Sequence, residues 1–156
     1  MTLRDGLTHP WLTVRTQIAL GLFFVAAALP KIGDPPSFAH MIYNYRILPG
    51  PFVNLAALAM PWAELLMGLA LVCGIWRRTA AVLVGGLLLL FIVAISFNLL
   101  RGNAIDCGCF DVADAGKSVA ERLHDMRMVI VRDVGMLLLV AQGLLGARRA
   151  EEAGTV

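Results

Sequence analysis

Charge is what this chain has least of. Acidic and basic side chains make up 15% of its 156 residues, against about a quarter in a soluble globular domain. Apolar residues reach 59%, mean hydropathy is +0.77, and the apolar positions gather in runs. That pattern excludes an ordinary water-soluble domain and makes the lipid bilayer the first partner. A basic stripe with interleaved aromatics is missing and the net charge is only +2, which removes nucleic acid. Cysteine is also scarce. Cys73, Cys107 and Cys109 are too few for the disulfide framework of a small secreted domain. They leave one close pair and one distant single to explain. His9, His40 and His124 stand apart in polar or interfacial stretches, where a lone histidine reads as a surface residue.

What is present is four apolar runs, at about 12–30, 52–76, 80–100 and 126–147. A hydrocarbon core of about 30 Å takes about 20 helical residues. The second and third runs meet this outright. The first and fourth meet it by tilting, or by letting Arg15 and Arg132 reach for the interface. The fold class expected is all-α: one integral membrane domain over residues 1–156, built as a four-transmembrane-helix bundle. The first run would also suit a signal peptide, with Arg4 and Arg15 ahead of it and Ala26-Ala27-Ala28 as the small-residue site. Cleavage there would remove a wall that the polar residues of the other helices need.

The linkers carry their own signals. Asp34-Pro35 reads as an N-cap followed by proline at the first helical position. Phe38, Met41, Ile42 and Tyr45 then fall on one face at helical spacing, with His40, Asn44 and Arg46 off it. This predicts a short amphipathic helix lying in the interface between spans one and two, ended by Pro49-Gly50-Pro51. Arg77-Arg78-Thr79 is all that separates the second run from the third, so a tight hairpin is expected there. Ser118 and Glu121 form a capping box that starts the last helix outside the bilayer; it is expected to leave the membrane near Ala147, with a soluble end after Arg148-Arg149.

Four spans place both termini and the Arg77-Arg78 hairpin on one side. Basic residues divide almost evenly between the two sides, so their density decides. Paired arginines sit directly at helix ends on the terminal side, which predicts cytoplasmic termini and an extracytoplasmic segment between spans three and four.

Besides Arg15 and Arg127 near the run ends, three positions within the runs are charged. Glu64 follows Pro61-Trp62-Ala63 and shares a face with Ala57, Pro61 and Gly68. A carboxylate at that depth costs about 2.5 kcal/mol or more, so it should face the bundle interior, as a proton relay, a holder of a cofactor headgroup, or an interhelical hydrogen bond. Arg132 and Asp133 are sequence neighbours and point about 100° apart on a helix. Each is expected to find its own partner: Asp133 with Lys31 or Arg101, and Arg132 with Asp106 or Asp34. The alternative to such a collar is that Arg132 or Arg101 lowers a cysteine pKa.

The cysteine pair lies in Ile105-Asp106-Cys107-Gly108-Cys109-Phe110, just past the third run. A disulfide across one residue closes a small strained ring, and strain makes it easier to reduce. Cross-linking so short a loop also constrains the unfolded chain very little. Both arguments suit a redox dithiol more than a staple. A Cu(I) or zinc clip and an inert pair stay open; zinc would need further ligands, for which His40 and His124 are the candidates. Cys73 reads as a small core residue near the other membrane face, about a bilayer away from the pair. A chain with a single reactive pair must exchange electrons with something else: a quinone in the bundle, or a separate thioredoxin-like protein.

Lys31-Ile32-Gly33-Asp34-Pro35, Tyr45-Arg46-Ile47-Leu48-Pro49, Pro61-Trp62-Ala63-Glu64, Asp106-Cys107-Gly108-Cys109-Phe110 and Arg132-Asp133 together resemble the MauE family of methylamine utilisation membrane proteins, related in architecture to the DoxX group. The resemblance runs from about Val14 to Leu145. It implies a four-helix inner-membrane protein that works with a thioredoxin-like periplasmic partner to mature a secreted, disulfide-rich client enzyme of the methylamine dehydrogenase type. It implies Cys107 and Cys109 as the redox pair of a thiol–disulfide oxidoreductase. Glu64, Lys31, Asp34, Arg132 and Asp133 match as motif positions without an assigned role, and Arg101 joins them as a supporting charge. A non-catalytic scaffold that anchors a redox partner, and a Cu/Zn-handling protein, are the competing expectations.

Overall fold

The computed structural model describes residues 9–105 and 118–153. Among these residues there are five helices and no strand: α1 (Pro10–Gly33), α2 (Pro35–Asn44), α3 (Gly50–Cys73), α4 (Arg77–Leu100) and α5 (Val119–Ala153). All but α2 are long and apolar enough to cross a membrane. The chain is a multi-pass, all-α membrane protein, with the short helix where the amphipathic pattern places it.

The helix ends follow from local chemistry. Asp34 joins α1 to α2 and serves both. Its backbone N–H donates to the Pro30 carbonyl at 3.1 Å. Its side chain accepts from the Ser37 N–H at 3.2 Å and from the Ser37 hydroxyl at 2.6 Å. These bonds hold the Asp34 carboxyl below its ordinary value of 3.8. At α5, the Ser118 N–H donates to Glu121 Oε2 at 2.7 Å and the Glu121 N–H donates to Ser118 Oγ at 3.3 Å, a reciprocal capping box.

Three boundaries differ from the sequence expectation. α2 stops at Asn44, with Tyr45 as its C-cap, and Gly50-Pro51 begin α3 instead of ending α2. The hairpin between α3 and α4 is Gly74-Ile75-Trp76, and Arg77 already begins α4. Gly74 takes φ +76° and its N–H reaches the Ala70 carbonyl, a left-handed helix stop that glycine adopts without a Cβ penalty. The last helix also continues past Ala147 to Ala153.

The core is a set of interhelical seams. α1 and α3 cross at two glycines: a Cβ added to Gly21 would lie 2.6 Å from the Gly68 carbonyl oxygen, and one added to Gly68 2.8 Å from that of Gly21. Apolar side chains alone drive helices together weakly in lipid, so close backbone approach does that work. Leu20, Phe24, Leu71, Val84, Leu88 and Val140 fill the middle of the bundle. Phe38 and Met41 dock α2 on Ala57 of α3. Ile95, Ile105 and Met126 close the end of the bundle where α4 stops and α5 begins, with Tyr45 packed on them. Of the paired glycines in α4, Gly85 faces Val140 and Gly86 meets nothing.

Candidate functional site

The polar centre of the bundle is an ion pair between α1 and α3. Lys31 Nζ donates to Glu64 Oε1 at 2.8 Å and to Oε2 at 2.7 Å, and the two side chains are 4% and 2% exposed. Helical side chains tilt toward the N-terminus. Lys31 sits in the last turn of α1, so its stem runs back into the bundle instead of out to the interface. Glu64 lies on the face with Ala57, Pro61 and Gly68, all buried, and that face is the one α1 covers. Lys31 therefore pairs with Glu64 and not with Asp133.

Arg132 and Asp133 depart further from expectation. They bind each other: Arg132 Nε and Nη2 donate to Asp133 Oδ1 at 3.0 and 2.8 Å. The 100° between neighbouring side chains is spanned because the long guanidinium stem folds back over the helix. Asp133 is buried and Arg132 is partly exposed, with its guanidinium 5.1 Å from the Phe23 ring centre. Lys31, Glu64 and Asp133 are thus buried in one bundle, with the partly exposed Arg132 held against Asp133. Asp34 and Arg101 lie outside that group. Asp34 is an exposed helix cap, and Arg101 is exposed at the end of α4, 4.6 Å from the Phe97 ring centre. Cys107, Cys109 and Asp106 lie outside the described residues. Cys73 is exposed at the end of α3 instead of buried in the core, because its position falls on the outward face of that helix. His40 and His124 are exposed on different helices, and among the described residues no three histidine, cysteine or acidic side chains cluster as a metal site would need.

Beside the ion pair is a cavity of about 810 Å³ between α2, α3 and α4. Its wall is apolar apart from Lys31 and Tyr45. Phe38 and Phe91 stand on either hand of the lysine, with ring centres 5.3 and 5.5 Å from Nζ. Leu89, Leu90 and Val93 of α4 line it and are half exposed or more, so the cavity opens sideways, where lipid surrounds the bundle.

The family model described as methylamine utilisation protein MauE matches residues 9–146. The chain belongs to the MauE family. Among its relatives, "Methylamine utilization protein MauE" of Paracoccus denitrificans is 39% identical over 107 residues, which is 68% of this chain and 58% of that protein. The protein of the same name from Methylorubrum extorquens is 39% identical over 105 residues, 67% of this chain and 56% of the relative. That of Methylophilus methylotrophus is 37% identical over 101 residues, 64% and 53%. The chain thus spans less than two thirds of the length of the curated relatives it matches. No solved structure matches it.

In this MauE-family bundle the structure also adds polar residues that periodicity passes over. Asn98, fully buried, donates from Nδ2 to the Ala94 carbonyl at 3.1 Å, and its own carbonyl accepts from the Asn103 N–H at 3.0 Å. It fixes the exit of α4, seven residues before Ile105. At the opposite end of the bundle Thr16 Oγ1 donates to Gln142 Oε1 at 2.9 Å, tying α1 to α5. The available signal was the isolated polar residue inside an apolar run, as in Ser96-Phe97-Asn98-Leu99-Leu100.

Proposed function

We propose that this chain is a thiol-redox protein of the bacterial inner membrane. Cys107 and Cys109 exchange with a thioredoxin-like protein outside the membrane and support maturation of a secreted enzyme of the methylamine dehydrogenase type. One observation carries the reading. Ile105, two residues before the pair in sequence, is buried at the end of the bundle where α2 lies, while the third cysteine, Cys73, sits at the other end of a 24-residue helix. Such a helix is about 36 Å long. That separation supports exchange with another molecule over relay to Cys73. The MauE relationship supports the same client class, since the relatives carry methylamine utilisation in their names.

The test is partner trapping. With Cys109→Ser, Cys107 alone attacks a partner disulfide and cannot resolve it, so a covalent complex accumulates that dithiothreitol releases; Cys107→Ser gives the reciprocal case. A thioredoxin-fold protein in either complex is the expected result. Absence of any complex, together with normal client maturation in both variants, would leave the pair structural and the reading wrong.

A further inference from the structure

We propose that the cavity between α2, α3 and α4 is a binding site for an isoprenoid quinone, its ring beside Lys31 and its tail running out between α3 and α4 into the bilayer. The size fits: about 810 Å³ lies within the range of small-molecule sites, about 300–1,000 Å³. The sideways opening fits a ligand that arrives from lipid.

The electrostatics choose the headgroup. Lys31 is already neutralised by Glu64, so the blind end of the groove carries no net charge. A phosphate head would add a second anion beside Glu64 against an apolar wall, and a choline or ethanolamine head would add a second cation beside Lys31; both are costly at low dielectric. A neutral head with carbonyl oxygens incurs neither cost. A lysine ammonium has three N–H donors. Two go to Glu64, and the third has no acceptor among the described residues, leaving it available to a quinone carbonyl. Phe38 and Phe91 flank that nitrogen and offer faces to a planar ring, with Met41 and Met60 as adaptable lining behind.

The site stands on this geometry alone; its reaction rests on the dithiol reading above. In that reaction the Cys107 and Cys109 thiols lose two electrons and two protons as the S–S bond forms. The quinone takes up both and leaves as the quinol. Tyr45 links the two regions: it lines the groove and packs on the cluster that holds Ile105.

The experiment is photolabelling of the full chain in phosphatidylcholine nanodiscs with an azido-ubiquinone, with decylubiquinone as competitor and the labelled peptides mapped by mass spectrometry. Saturable labelling of peptides around Met41, Met60 and Phe91 is expected. Ala94→Trp fills the groove and should abolish it. Lys31→Met with Glu64→Gln removes the donor while keeping the site neutral and foldable, and should weaken competition about tenfold. Cys107→Ser/Cys109→Ser should label as the wild type but form no quinol from a reduced partner, which separates failure of the dithiol reading from failure of the site. Unsaturable labelling spread over the lipid-facing helices would overturn the proposal, as phosphatidylcholine would then hold the groove. Labelling untouched by Ala94→Trp, or a groove shielded by a second copy of the chain, would overturn it as well.

Discussion

Lys31 and Glu64 show how a buried pair behaves as a unit. Replacing one partner leaves the other as an uncompensated charge away from water, a loss of about 3–5 kcal/mol, whereas exchanging both for apolar residues of similar volume is often neutral. Glu64→Ala and Lys31→Met should each lower the melting temperature of the purified protein sharply. The double change Lys31→Met/Glu64→Leu should recover most of the loss. Additive losses in that double-mutant cycle would show that the two residues act separately. Arg132 and Asp133 make the opposite point about reading a helix. Their spacing forbids facing side chains for short residues, but arginine is long enough to turn back on its own neighbour.

At the scale of the element, α2 is the piece whose placement depends most on a few polar atoms. It is ten residues long, too short to hold its helix by propensity alone, and it roofs the groove. Asp34 caps it. Because the folded carboxyl lies below its ordinary value, the cap's contribution is present above the unfolded-state value and is lost as pH falls through the folded one. Amide exchange at Ser37 and Phe38 should therefore accelerate only below that ordinary range. Ser37→Ala, which removes the hydroxyl bond, should move the acceleration to higher pH. An unchanged pH profile in that variant would detach the Ser37 hydroxyl from the Asp34 titration. The α1–α3 crossing depends instead on absence, since Gly21 and Gly68 work by having no Cβ where two backbones meet.

At the scale of the whole molecule, the end of the bundle that faces out decides where the thiols can react. Four spans put the α2 end, Ile105 and the start of α5 together, and paired arginines mark the other end. With the termini cytoplasmic, a maleimide that cannot cross the inner membrane should label Cys107 and Cys109 in intact cells, after reduction if they rest as a disulfide. Cys73, exposed at the opposite end, should label only with a permeant reagent. The reverse pattern would invert the topology and with it the extracytoplasmic exchange.

The amino-acid sequence by itself determined the four spans, the interfacial helix with its Asp34 cap, the Ser118 capping box and the inward face of Glu64. Each of these follows from periodicity, length or a short-range bond between residues three or four apart. The MauE relationship was legible too, because it rests on short motifs spread along the chain. Tertiary structure alone decided the partners: Lys31 with Glu64 across 33 positions, Arg132 with Asp133, and the flanking of Lys31 by Phe38 and Phe91. It also decided that a groove opens between α3 and α4. The contacts between helices depend on how those helices rotate and approach, which the glycines at the α1–α3 crossing set through backbone contact, and no local pattern encodes a distance between two helices; the Arg132–Asp133 bond depends on the rotamer the arginine takes within its own helix.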